Sequence, residues 1–104
     1  MAKKNISKNI SGNLNKSTNE RKVEFNFHAP DAKSVYLSGE FNNWDIQSIP
    51  MKKENGKEWK ITVNLAPGRY EYKYFADGAW IEDVPGVEKS FNDFGTRNLV
   101  IHVK

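Results

Sequence analysis

From Lys22 onward, apolar and polar residues alternate with a period of two in short runs separated by turn residues, and no stretch keeps the spacing of about 3.6 residues that marks an amphipathic helix. Val23, Phe25 and Phe27 fall on one side of a first strand, with Glu24 and Asn26 on the other, and Ala29-Pro30-Asp31 ends it. Val35 to Glu40 supplies the next strand. Asn55-Gly56 is the sharpest hairpin signal, because both central positions of the tight turn that joins twisted strands need positive φ. It links Met51-Lys52-Lys53 to a strand on which Trp59, Ile61, Val63 and Leu65 share a side. Pro67-Gly68 turns the chain into Arg69 to Ala76, Asp77-Gly78 returns it as Ala79 to Val84, and after a loop a last strand runs from Arg97 to Val103. These elements predict an all-β fold, a small antiparallel sandwich of about six to eight strands.

The same alternation sorts side chains between the two faces of the sandwich. In the last strand Leu99, Ile101 and Val103 share one face, which leaves Asn98, Val100 and His102 on the other and Asn98 free to meet a ligand. In the 69–76 strand Tyr70, Tyr72 and Tyr74 oppose Glu71, Lys73 and Phe75, so either face is half apolar and the alternation leaves the buried one open. A lysine is rarely fully buried, which places Lys73 outward. Trp59, in register with Ile61 and Val63, reads as core. Phe25, Phe27, Phe41 and Phe75 read as packing residues, and the three tyrosines as sheet aromatics with polar tips.

Length and charge narrow what such a domain does. A chain of 104 residues holds one small domain and is far short of a catalytic barrel of about 250. The net charge of +3 suggests nucleic acid until it is located: residues 1–21 carry five basic groups and one acidic, leaving 11 basic and 12 acidic groups on the rest, a net −1. No basic stripe remains for a phosphate backbone.

Residues 1–21, rich in Asn, Ser and Lys with no aromatic, are expected to be a disordered tail preceding a domain at 22–104. A second reading takes Ile6, Ile10 and Leu14, spaced by four, as a helical seam for a partner. Asn-x-Ser triplets begin at Asn5, Asn9 and Asn15, but glycosylation needs export, and the basic start leads into no apolar run. With no cysteine and no membrane-length apolar stretch, a soluble cytoplasmic protein is expected, with no membrane partner.

The candidate chemistry is aromatic. Trp44 follows Asn42-Asn43 in a loop, where a large apolar residue has little reason to sit unless it touches something. Trp80 and Lys73 lie seven positions apart across the Asp77-Gly78 hairpin, so two indoles and an amine can meet on one β surface. A pyranose presents a flat patch of C–H groups that stacks on an indole, while its hydroxyls need donors and acceptors at the rim. Trp80 has the plainer alternative of a cross-strand tyrosine partner.

Three blocks, Val35 to Trp44, Tyr72 to Trp80, and Phe94-Gly95-Thr96-Arg97-Asn98, together resemble carbohydrate-binding module family 48, over residues 23–103. That family includes the glycogen-binding domain of the AMP-activated protein kinase beta subunit and the early-set domain of branching and debranching enzymes. The resemblance implies an immunoglobulin-like early-set sandwich that binds α-1,4-linked glucan (glycogen, starch or maltooligosaccharide). It places Trp44, Trp80 and Lys73 at the sugar-holding positions, with Thr96 and Asn98 completing the contacts. Phe94 stands where the family has a leucine that reaches into the curve of the glucan.

Catalysis is not expected. Asp45, Asp77, Glu82, Asp83 and Asp93 fall loosely around the same region, but Asp77 is explained by its turn and nothing marks a desolvated acid of the kind glycoside hydrolysis needs. His28 and His102 lack metal-ligand spacing, and no motif calls for a cofactor. Arg97 and Glu71 read as solvated surface with a possible place at the rim. The competing reading is an early-set docking module, without sugar binding, attached to or associated with a glucan-active enzyme or kinase.

Overall fold

A computed structural model describes residues 19–104. Residues 1–18 of the expected tail, with the Ile6/Ile10/Leu14 seam and the three Asn-x-Ser triplets, lie outside the described residues; of its last three residues Arg21 opens the first strand.

The described strands are β1 (Arg21–His28), β2 (Val35–Gly39), β3 (Lys52–Glu54), β4 (Glu58–Leu65), β5 (Gly68–Ala76), β6 (Ala79–Ile81), β7 (Lys89–Phe91) and β8 (Arg97–Val103), with a 3-10 turn at Glu40–Asn42 between β2 and β3. They form two antiparallel sheets, one ordered β1-β4-β3 and one ordered β2-β5-β8-β7 with β6 also on β5. This is the expected sandwich.

Both hairpins read from Asn-Gly and Asp-Gly form. Asn55 and Gly56 take φ of 56° and 71°, and Asp77 and Gly78 take 49° and 81°, the left-handed pair that matches strand twist. Asp77 does more than turn the chain. Its Oδ1 accepts the amides of Lys33 and Ser34, each at 2.9 Å, so the hairpin is stitched to the segment that leads into β2. Those amides, Lys33 first, hold the Asp77 carboxyl below its ordinary range.

The core is aromatic and crosses between the sheets. Phe27 of β1 stacks on Tyr74 of β5 with ring centres 4.5 Å apart, and Phe25 meets Tyr72 edge-on at 5.0 Å. Val35, Leu37, Leu65 and Leu99 fill the space around these rings, and Met51 joins them from outside any strand. Trp59 is core as expected, its Nε1–H donating to the Ala29 carbonyl at 3.0 Å, which satisfies the one polar atom the ring carries inside. Burial pushes the Tyr72 hydroxyl above the usual phenol range and the Tyr74 hydroxyl well above it.

The tyrosine question left open by alternation is thereby settled: Tyr72 and Tyr74 face the core, so Glu71, Lys73 and Phe75 face outward. Three expectations are corrected. Phe75 packs outside, not in the core, where it is paired with Trp80. The return strand after Asp77-Gly78 stops at Ile81, because residues 82–88 leave β5 to reach β7. The expected loop before the last strand contains β7, which pairs Lys89, Ser90 and Phe91 with Leu99, Asn98 and Arg97.

Candidate sugar-binding face

The outer face of the larger sheet is set by cross-strand register. Ser38 lies opposite Lys73, Phe75 opposite Trp80, Glu71 opposite Val100, and Asn98 opposite Ser90, so all of these share one side. Val100 is buried there although it points away from the core, and Ser38 is fully buried with its Oγ unpartnered.

Trp80 sits on β6 with 43% of its surface exposed. Phe75 supports it edge-on, ring centres 4.9 Å apart, and the Lys73 Nζ lies 5.6 Å from the indole centre. The cross-strand partner is therefore a phenylalanine rather than a tyrosine, and it leaves the indole half open. Lys73 is held from its other side by Glu82 Oε2 at 3.6 Å. Glu82 Oε1 accepts the backbone amide of Arg97 at 3.0 Å, which ties the end of β6 to the start of β8.

Trp44 is positioned by a separate device. Asn42 turns its Oδ1 to the Gly39 amide at 2.9 Å and spreads its Nδ2 between the Asp45 carbonyl and Ser48 Oγ, at 3.0 and 2.9 Å. This clamp holds Asn43 and Trp44 at φ of 57° and 60°. A bulky residue in the left-handed region is held at a cost of about 1–3 kcal/mol, and such strain concentrates at functional sites. The Trp44 amide bonds the Gly39 carbonyl at 2.9 Å, and Gly39 pairs with Tyr72, the neighbour of Lys73. No ring-to-ring pairing joins Trp44 to Trp80 among the described residues.

The β7–β8 connection carries the remaining candidates. Asn92 organises it: Oδ1 accepts the amides of Phe94 and Thr96 at 2.9 and 3.1 Å, and Nδ2 donates to Thr96 Oγ1 at 2.5 Å. Thr96 thus spends an acceptor site on the loop and keeps its hydroxyl hydrogen to donate. Phe94 stands at the tip, 92% exposed. Asn98 is not the free side chain expected, since its Nδ2 donates to Glu71 Oε1 at 2.8 Å, which fixes the amide and leaves Oδ1 as an acceptor. Asn98, and to a lesser degree Arg69, hold the Glu71 carboxyl below its ordinary range against the opposing effect of burial.

Lys73 and Trp80 are in direct contact, and Glu71 and Glu82 tie β5 and the end of β6 to the hairpin that bears Phe94, Thr96 and Asn98. Sequence reasoning treated Glu71 as surface and Glu82 as one of several scattered acids. Their value comes from partners 27 and 15 positions away, which no local pattern reveals. Asn42 and Asn92 were within reach, each being an Asn ahead of a turn.

Among the described residues there is no cluster of His, Cys, Asp and Glu with metal-holding geometry, and no helix is long and apolar enough to cross a membrane. The family described as the glycogen recognition site of AMP-activated protein kinase matches residues 21–104. The 5'-AMP-activated protein kinase subunit beta-2 of Mus musculus is 39% identical over 72 residues, covering 69% of this chain and 26% of that protein. Subunit beta-1 of Bos taurus is 40% identical over 72 residues, covering 69% of this chain and 25% of that protein. The chain spans about a quarter of the length of these relatives. The matching unit is a recognition domain rather than a catalytic one, and this chain belongs to the family of the glycogen recognition site of AMP-activated protein kinase.

Proposed function

We propose that the domain at 22–104 binds α-1,4-linked glucan by stacking glucose rings on Trp44 and Trp80 while Lys73, Thr96 and Asn98 hydrogen-bond the hydroxyls and Phe94 packs into the curve of the sugar chain. The observation that carries this reading is a half-exposed indole with an ammonium over its ring, both on the outer face of one sheet. The polar groups are complementary in kind: Lys73 and the Thr96 hydroxyl offer donors, and Asn98 Oδ1 offers an acceptor, which suits a ligand whose every hydroxyl does both.

A shallow face of two stacking rings and three polar side chains supports modest affinity, a Kd of roughly micromolar to millimolar once association costs are subtracted. The domain delivers an attached or associated enzyme to glycogen or starch, the residues before it serve as a tether, and its compartment is the cytoplasm. The relatives are named as kinase subunits, so a kinase is the partner this reading favours.

An amide chemical-shift titration with maltoheptaose, run beside a cellooligosaccharide, tests it. Saturable shifts at Trp44, Lys73, Trp80 and Asn98 with the α-glucan alone are expected. Absence of shifts with either sugar overturns the reading in favour of a protein-docking module.

A further inference from the structure

The strip of side chains that starts at Trp80 does not stop at Lys73. Beyond the Lys73–Glu82 pair, Arg97 Nε lies 3.9 Å from Glu82 Oε1, and the Arg97 guanidinium lies 5.9 Å from the centre of the Phe91 ring. Each step joins direct neighbours, so a line of contacts leads from Trp80 on the outer face, past the start of β8, to Phe91 on the opposite side of the ladder, the side of Leu99.

Phe91 is 75% exposed at the end of β7, opposite Arg97 in register. Two positions back, Leu99 on the same side of the ladder is fully buried, so by Phe91 the hairpin has run out from beneath the covering sheet. An exposed phenyl on a three-residue edge strand contributes little to the fold. What holds its orientation is Arg97, itself anchored by Glu82 and by Asp83 Oδ2 at 3.6 Å. The Asn92 clamp fixes the loop immediately after it. A ring that is open, oriented and attached to a rigid loop is prepared for a ligand, because little side-chain freedom remains to be lost on contact.

The occupant follows from the hairpin that Phe91 shares with residues of the face already described, and the inference rests on that reading. Phe94, Thr96 and Asn98 ride on the same hairpin as Phe91, with Phe94 at its tip. An α-linked glucan curves, so a chain lying on the Trp80 side and passing the tip is directed round the hairpin toward the far ring. We propose that Phe91, backed by Arg97, is a further glucose-stacking platform that engages glucans long enough to pass Phe94.

Calorimetric titration of the unaltered chain, Phe91→Ala and Phe91→Tyr with maltotriose and with a long linear maltodextrin tests this. One lost stacking contact corresponds to about a fivefold weakening. Phe91→Ala is expected to weaken the maltodextrin by about that factor and to leave maltotriose within about twofold, with Phe91→Tyr restoring the difference. Equal affinities of the unaltered chain and Phe91→Ala for the long glucan, or equal losses for both sugars, overturn the proposal while leaving the glucan face intact. Failure of the unaltered chain to bind either sugar overturns both readings. A thermal melt of Phe91→Ala matching the unaltered chain excludes misfolding as the cause of any loss.

Discussion

Asn98 donates its amide hydrogen to Glu71 across two adjacent strands at 2.8 Å, so a carboxylate that never needs to touch sugar decides which atom of Asn98 faces outward. Without that carboxylate the amide is free to rotate, and it then offers donor and acceptor in either order.

Acid should therefore weaken glucan binding. The folded-state pKa of Glu71 is depressed from its ordinary 4.5, so its contribution is complete above the unfolded value and is lost as pH falls through the folded one. Affinity for maltoheptaose is expected to hold at pH values above the ordinary 4.5 and to fall only as pH drops below it, and Glu71→Gln should flatten that part of the profile. An unchanged profile in the variant removes Glu71 from this role.

Trp80→Ala should weaken α-glucan binding at least about tenfold, since a stacking ring and its partner lysine are lost together. The indole is 43% exposed and rests on Phe75 and Lys73 at the sheet surface, so the melting temperature should move little. Calorimetry and a thermal melt on the same sample separate the two effects.

Gly39→Ala should cost both stability and affinity. An added Cβ would stand 2.7 Å from the Glu71 carbonyl oxygen and 2.7 Å from Tyr72 Cβ, and neither backbone nor Cβ can swing aside. Overpacking of this kind costs about 1–3 kcal/mol, read as a lower denaturant midpoint. Because the Trp44 amide hangs on the Gly39 carbonyl, sugar affinity should drop in the fully folded protein too.

Leu37→Ala offers the contrast. Leu37 has no exposed surface, and its truncation should cost about 2–5 kcal/mol. It faces away from the sugar face, so the fraction that remains folded should bind maltoheptaose with affinity within about twofold of the unaltered chain. A larger change would mean that core packing tunes the site.

Much of the architecture was legible because strands bury one face. Period-two runs located β1, β2, β4, β5 and β8, and Asn-Gly and Asp-Gly located two hairpins, since few residues accept positive φ cheaply. β7 escaped because Lys89-Ser90-Phe91 is too short to alternate and ends on an exposed ring; its order comes from pairing with β8. Alternation put Val100 on the face away from Leu99 but carried no sign of its burial there. Among the candidate residues, Trp44, Lys73, Trp80, Phe94, Thr96 and Asn98 were marked by residue type and by resemblance. The clamps that hold them, Glu71 and Glu82 above all, join residues distant along the chain, and a linear pattern carries no trace of such partners.

Strand β5 gives Tyr72 and Tyr74 to the core and Lys73 and Phe75 to the outer face, one residue at a time. Inner and outer layers are thus teeth of one rack, and no hinge lies between them. Amide hydrogens at 72–74 should exchange only when the whole domain opens, and a bound glucan should slow that opening along all of β5 instead of quieting a loop. In such a molecule, ligand occupancy and thermal endurance become a single quantity read at two ends of the same strand.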